Sequence, residues 1–411
     1  MKATGRDPAC RCAPRARGDR ADMLGAPAAS RSRASESPCL VHICHLTSAS
    51  LDGQYFSSVC RHLAARGHDV SIGRLWSGGP PAWAEGSGVR TFDLGARGRQ
   101  DLPRAVARLA RRLRRERVDV VHGHLPDATI AALAAGRAAG TPARVFTRHH
   151  FDENWALGTG AWAVADIAMA RDASAVVVAS HAVRNHMLWR ERLRDVHIEV
   201  IPHGLEPAQQ APPDAGQVAA ARAELGLDGR YVVGAVARIA PAKGLDYLVE
   251  GFARVGGERP DAVLVIVGAG DADPLRRRAA ALGVADRVLF TGWRADAPAL
   301  IRTFDAFVHT PLTEAFGLVV IEAMAAERLV IASNVGGIPE IVSDERTGLL
   351  IPPADPAAIA RALRRTWTGD VDAATLAHAA HESVSGRFSA ERMADGYERL
   401  YASLVAGTAP T

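Results

Sequence analysis

AFVHTPLTEAFGLVVIEAMA, residues 306–325, is the stretch on which the reading of the whole chain turns. Ala306 to Pro311 is a short apolar strand stopped by a proline, and Gly317 to Ala325 opens a helix rich in Leu, Val, Ile, Ala and Met. Thr313 and Glu314 therefore fall where a strand hands over to a helix. The backbone N–H groups of Phe316, Gly317, Leu318 and Val319 are first-turn donors that no helical carbonyl reaches, and such an end attracts anions. Gly317 leaves the main chain open to close approach. Glu322 lies further along the helix and its side chain leans back towards the start, so that two carboxylates flank one phosphate-sized opening. Fixed N–H donors suit a diphosphate and charged acceptors suit sugar hydroxyls, which favours a nucleotide sugar over a bare phosphate. An ordinary strand–turn–helix unit with one Glu near its positive end and one on its exposed face shows the same pattern. The flanking sequence has to decide between them.

A chain of 411 residues is too long for one ordinary core and points to two domains. With 48% hydrophobic and 23% charged residues it belongs to the globular class. Its formal charge of +4 is local. Lys2, Arg6, Arg11, Arg15, Arg17, Arg20, Arg31 and Arg33 outnumber Asp7, Asp19, Asp22 and Glu36 before Cys39, and the remainder is neutral. The folded part thus carries no basic excess that would suit nucleic acid. Cys10, Cys12, Cys39, Cys44 and Cys60 have no zinc-site spacing, and an odd number without a framework fits a reducing cytosol. No run of eighteen apolar residues marks a membrane span. Residues 1–38 lack the apolar centre of a secretory signal and read as a disordered extension or as an over-long start with Met23 as the initiator.

Outward from the central stretch, strand and helix patterns alternate as in parallel nucleotide-type sheets, whose strand ends open onto one crevice. In the first half, LVHICHLT (40–47) leads through a loop with Gly53 into a helix from Tyr55 to Arg66, and HDVSIGRL (68–75) is the next strand. VDVVHGHLPDA (118–128) ends a buried strand on His122, Gly123 and His124. Thr147, Arg148, His149 and His150 follow ARVFT, and Ser180 and His181 follow AVVVAS. A lone imidazole is usually structural; imidazoles after successive strands face a shared cleft. The helix LPRAVARLARRLRRER (102–117) carries arginines around an apolar stripe of Leu102, Val106, Leu109 and Leu113. It reads as a surface helix covering the sheet, with peripheral contact to anionic lipid as the other reading.

HIEVIPHGLEP (197–207) is the last strand and exit turn, and the linker falls around Pro207–Gln217. In the second half, YVVGAVAR (231–238) ends on Arg238 before the turn that holds Lys243 and Gly244; DAVLVIVGAG (261–270) and RVLFTGW (287–293) follow. RLVIASNVGGIPEIV (328–342) and TGLLIPPAD (347–355) are two more strand–turn units. The final helix runs from Ser389 as N-cap to about Leu404, with Met393, Tyr397, Leu400 and Tyr401 on one side that must be buried.

Glu314-Ala-Phe-Gly317 with Glu322, together with Arg238, Lys243–Gly244, VGAGD (267–271), FTGW (290–293), VVHGHLP and VIPHGLE, resembles the retaining glycosyltransferases of family 4. The resemblance runs from about Leu40 to about Val405. It implies an α/β fold of the GT-B type, two facing Rossmann-like domains with parallel sheets: residues 39–207 for the acceptor, 218–385 for the donor, and a helix at 386–406 crossing back to the first. It further implies that Arg238 and Lys243 hold the donor diphosphate, that Glu314 meets sugar hydroxyls, and that Glu322 meets the ribose. Phe316, Gly317, Leu318 and Val319 would supply amides, Gly53, Gly270 and Trp293 further donor contacts, and His124 would face the transferred sugar. Two departures stand out: Gly53 is alone where the family usually pairs glycines, and His203 stands where it usually has Asn.

The resulting expectation is a metal-independent retaining glycosyltransferase without a cofactor, taking a nucleotide-diphosphate sugar and a glycan, lipid-linked or small-molecule hydroxyl acceptor. It would be cytoplasmic, with any membrane contact peripheral, and would serve glycan, glycolipid or cell-surface polysaccharide synthesis. No Asp-x-Asp pair lies at a phosphate site, so cations and the helix dipole would balance the leaving group. The rivals are a sugar-nucleotide epimerase, a phosphorylase, and a non-catalytic sugar-nucleotide or glycan binder. A phosphorylase of this architecture needs a pyridoxal-phosphate lysine, and only Lys2 and Lys243 are lysines here.

Overall fold

The computed structural model describes residues 40–48, 51, 54–79, 81–151, 160–210 and 214–408. The expected extension at 1–38 and Gly53 lie outside them. Numbered along the chain, the strands of the first sheet are β1 (His42–Thr47), β2 (Asp69–Trp76), β3 (Arg90–Ala96), β4 (Val120–His124), β5 (Ala143–Arg148), β6 (Ala175–Val178) and β7 (Ile198–Val200). Those of the second are β8 (Tyr231–Val236), β9 (Ala262–Val267), β10 (Val288–Gly292), β11 (Ala306–His309), β12 (Leu329–Ser333) and β13 (Leu349–Ile351). All pairings are parallel, in the orders β3-β2-β1-β4-β5-β6-β7 and β10-β9-β8-β11-β12-β13.

Each sheet is covered on both faces, which is why its central strands are continuous apolar runs such as AVLVIV at 262–267. Each order also reverses direction once: between β1 and β4 in the first sheet, between β8 and β11 in the second. At such a reversal the connections leave on opposite faces and a crevice opens beyond the strand ends. Thr47 pairs in register with His124 at the first reversal. Arg238 follows β8, and His309 and Glu314 end or follow β11, at the second.

Two elements differ from the sequence reading. β3 is an edge strand, buried only at Leu94 and Ala96, so it presents no apolar run to recognise. A helix at Ala215–Glu224 begins inside the stretch read as linker, because Asp214 accepts from the Gly216 and Gln217 N–H groups and caps it.

The helix Leu102–Glu116 buries Ala105, Leu109, Ala110 and Leu113. Three of its guanidinium groups turn back onto the protein: Arg108 donates to Leu94 O (2.6 Å), Arg114 to Ala138 O (2.7 Å), and Arg112 lies 4.1 Å over the Phe92 ring. Among the described residues no helix is long and apolar enough to cross a membrane. The last helix, Ala390–Val405, packs Met393, Tyr397, Leu400 and Tyr401 with Ile43 and Val120 of the first sheet and with Ile201 just beyond it. Arg66 clamps it through Asp395 (2.6 Å) and Glu398 (2.7 Å).

Candidate active site

The turn after β11 positions the second-domain half of the site. Gly317 adopts φ 107°, which starts the helix Leu318–Ala325 without a capping side chain. The first helical donor bonds in this turn are Val320 and Ile321 N–H to Gly317 O, which leaves the amides of Phe316, Gly317, Leu318 and Val319 without a backbone acceptor among the described residues. The loop after β12 supports the turn from beneath: Gly337 N–H donates to Glu314 O (3.0 Å), and a Cβ on Gly336 would lie 1.9 Å from that same oxygen. Only glycine admits this contact.

Glu314 accepts from Lys243 Nζ (2.7 Å) and His309 Nε2 (3.0 Å) on one carboxylate oxygen. Burial pushes its carboxyl upward, but His309 and Lys243 outweigh that and hold it at about 2. Glu322 has the opposite environment. Among the described residues its side chain takes one long hydrogen bond, from Gln209 Nε2 (3.4 Å), and burial raises it to about 7. Lys243 arrives by a close approach of two loops, since a Cβ on Gly244 would lie 2.2 Å from Thr310 O. Arg238 is exposed in the loop after β8, which Ile239 N–H holds to Ala269 O (2.7 Å) beside Gly270. Trp293 stands beyond β10 with 73% of its surface exposed.

The first-domain half is a column of imidazoles. His45 and His122 are register partners on β1 and β4, and His124 follows on the same face. His122 shares hydrogen bonds with Tyr401 Oη (2.6 Å) and Thr147 Oγ1 (2.8 Å), while His45 Nδ1 and His124 Nε2 lie 3.0 Å apart. The rings stack, His122 on His124 at 4.2 Å. His149 is 5.7 Å from His124, and His203 stacks on His149 at 5.9 Å. Burial keeps all five rings below their ordinary titration range, His45 and His149 at about 3, so they are neutral near pH 7.

His45, His122 and His124 offer ring nitrogens within 4.8 Å of one another, close enough to ask whether they suit a metal. They do not suit one well. Both His122 nitrogens are already hydrogen-bonded, and its plane lies only 19° from that of His124, so their in-plane lone pairs run side by side instead of converging.

The two halves touch. Ser180 Oγ donates to Ala315 O (2.5 Å), and Glu340 accepts from the N–H groups of His181 (2.9 Å) and Ala182 (2.6 Å) at the start of the helix His181–Trp189. His203 meets the Phe316 ring edge-on at 5.3 Å. The structure thus brings Lys243, Glu314, Phe316 and Gly317 into one group, with Glu322 on the helix they open. His124 is fully buried below Tyr55 and Phe56 and has no open face on the cleft. His309, Glu340 and Tyr55 escaped the sequence reading. His309 lies within the quoted stretch at a strand's C-terminal end, where a polar residue was a usable signal; Glu340 and Tyr55 had none beyond their place near a loop.

Two parallel α/β domains meeting through their strand ends define a GT-B architecture. The family models described as "Glycosyl transferases group 1" and "Glycosyltransferase Family 4" match residues 230–368 and 53–209, one in each domain. The chain thus carries a glycosyltransferase domain of each of these two descriptions, one in either half.

It is 37% identical over 229 residues to the D-inositol 3-phosphate glycosyltransferase of Segniliparus rotundus, which covers 52% of this chain and 48% of that one. It is 30% identical over 212 residues to a lipopolysaccharide core biosynthesis mannosyltransferase of Rhizobium leguminosarum bv. viciae, covering 50% and 60%. The chain spans about half the length of the curated relatives it matches. The solved structure of Anabaena HepE with UDP and glucose shares the fold at a TM-score of 0.77 and 22% identity, covering 88% of this chain and 100% of that one.

Proposed function

We propose that the chain transfers a sugar, with retention at the anomeric carbon, from a nucleotide-diphosphate sugar to a hydroxyl acceptor in glycan, glycolipid or cell-surface polysaccharide synthesis. The observation that carries this reading is the Lys243–Glu314 ion pair of 2.7 Å at the mouth of the amide group around Gly317. An ammonium and aligned N–H donors match a pyrophosphate, and a carboxylate that stays ionised matches sugar hydroxyls. The relatives named for transfer of sugars and the neighbour crystallised with UDP and glucose support the same substrate class.

In this reading Lys243, Arg238 and the free amides take the charge that grows on the departing nucleoside diphosphate. The leaving phosphate oxygen then assists the incoming hydroxyl on the same face of the sugar. Glu322 accepts the ribose hydroxyls, and Trp293 lies beside the base. The basic helix Leu102–Glu116 is a secondary proposal for contact with anionic lipid, tested by co-sedimentation with phosphatidylglycerol vesicles.

A panel of nucleotides and nucleotide sugars, scored by thermal stabilisation, tests the donor reading, because a ligand that binds only the folded state raises its melting temperature. At least one nucleoside diphosphate and its sugar conjugate should stabilise the wild-type protein and not Lys243→Ala. No stabilisation across uridine, guanosine, adenosine and thymidine diphosphates would remove it. Release of free nucleoside diphosphate during turnover with an acceptor separates transfer from epimerisation.

A further inference from the structure

The first domain leaves β7 through Pro202, His203 and Gly204, and this turn is pinned in place. Leu205 N–H donates to Phe388 O (2.8 Å), Ala390 N–H donates to Leu205 O (2.9 Å), and a Cβ on Gly204 would lie 2.2 Å from Ser389 O. The ring of His203 is wedged as firmly. It lies parallel to His149 (5.9 Å, 9°) and meets Tyr55 (5.0 Å, 81°) and Phe316 (5.3 Å, 84°) edge-on.

Phe316 belongs to the turn that also holds Glu314, so His203 is the point at which the imidazole column reaches the amide group of the other domain. Its Nδ1 is shut away from water and has no hydrogen-bond partner among the described residues. A buried polar atom left this way disfavours the folded state, and a folded protein that retains one at a cleft calls for a reason.

We propose that His203 binds the sugar ring of the nucleotide-sugar donor, its imidazole pairing with a hydroxyl of the sugar whose other side Glu314 holds. The inference rests on the donor reading above and extends it to a residue of the opposite domain. A neutral imidazole offers one N–H donor and one lone pair, which is what a hydroxyl requires, whereas a phosphate oxygen calls for a cation. Burial draws the ring down to about 4 although the nearby Glu314 carboxylate pulls it upward, so the neutral form is the one present near pH 7. Lys243, whose ammonium donates to Glu314 at 2.7 Å, is the cation that answers the diphosphate in this reading. His203 is thus a specificity-determining contact, selecting a sugar with a hydroxyl in its reach.

The test titrates the full chain and its His203→Leu and His203→Asn variants by calorimetry with UDP and UDP-glucose, and with GDP and GDP-mannose. Leucine removes both polar atoms, while asparagine keeps a donor and an acceptor. His203→Leu should bind the free nucleotide as wild type does, bind its sugar conjugate about tenfold more weakly, and melt no lower than wild type without ligand, since it removes an unpaired buried nitrogen. His203→Asn should recover most of the sugar affinity. Equal weakening of nucleotide and conjugate would make His203 a structural residue and overturn the inference, as would unchanged affinity for the conjugate. Should leucine not be accommodated, His203→Ala carries the same comparison. If neither pair binds, the pair titrated is the one whose nucleoside diphosphate stabilises the unmutated chain; a wild-type protein stabilised by none of the uridine, guanosine, adenosine and thymidine diphosphates overturns the donor reading itself, and the inference falls with it.

Discussion

On the second-domain wall of the cleft Glu314 has its charge answered twice, by Lys243 at 2.7 Å and His309 at 3.0 Å, whereas on the first-domain side His149 and His203 each keep a buried ring nitrogen without a partner among the described residues. Both walls are polar and half-buried or buried, yet they handle that polarity in opposite ways. The second wall stores charge in a pair that a ligand can reorganise without leaving any group bare. The first holds uncharged rings in a stack whose inner end is tied by Tyr401 and Thr147 and whose outer end has spare hydrogen-bonding capacity. A charged diphosphate suits the former and hydroxyls suit the latter. On the proposed donor reading, the contrast keeps the chemistry of the two ends of a nucleotide sugar apart within one cleft.

Removing the charge of the second wall should have the largest effect. Lys243→Ala and Glu314→Ala are each expected to raise the barrier to transfer by about 2–4 kcal/mol, read from kcat/KM. The double variant should fall well short of the sum, because the two side chains act as one unit. Strict additivity would break the pairing argument.

Gly336→Ala comes next. Its Cβ would meet Glu314 O at 1.9 Å while the backbone sits at φ 53°. A destabilisation of about 2–3 kcal/mol in denaturant titrations is expected, with weaker nucleotide-sugar binding because the Glu314 turn is pushed outward. Loss of stability with unchanged binding would separate this loop from the site.

On the first wall Tyr401→Phe removes the hydroxyl 2.6 Å from His122 Nδ1 and leaves the inner end of the column loose. About 1–2 kcal/mol of stability should be lost, with little change in affinity for free nucleotide. A large fall in nucleotide affinity would show that the two walls are not separable.

The smallest effect expected is a pH dependence that divides Glu314 from Glu322. Glu314 lies well below its ordinary 4.5, so the stability it contributes is present above that value and is lost as the pH falls towards about 2. Glu322 is raised to about 7, so between about 4.5 and 7 the folded protein holds a proton that the unfolded chain has released, and stability declines as the pH rises through that window. Glu322→Gln should flatten the decline. If the ionised carboxylate accepts the ribose hydroxyls, affinity for a nucleotide sugar should rise between pH 6 and 8 in wild type and not in Glu322→Gln.

The turn at 313–317 was legible in the sequence because a strand that stops at a proline and a helix that starts at a glycine confine what lies between them. Lys243 was legible as a cation near a strand end, but its protein partner was not: the sequence reading gave it to a diphosphate, and in the structure it donates to Glu314. His124 was expected at the cleft and is buried behind Tyr55 and Phe56, since a strand pattern says on which face a residue lies and not what covers that face. Val106 was placed on the buried stripe of its helix, where Ala105 and Ala110 take the deeper positions; small residues fit the close contact with the neighbouring helix.

What the sequence determined by itself was the alternation of strands and helices, and with it parallel sheets whose polar ends gather at one edge. Hydrophobic periodicity and turn chemistry are local, and they are written in neighbouring residues. What only the tertiary structure decided was which ends face each other. Ser180 meets Ala315, Glu340 caps the helix at His181, and His203 reaches Phe316, across separations that no local pattern records. Those contacts follow from how two separately folded sheets pack through their connecting turn and the final helix. That packing is set by the shape and charge of whole surfaces, which exist only once both sheets have formed.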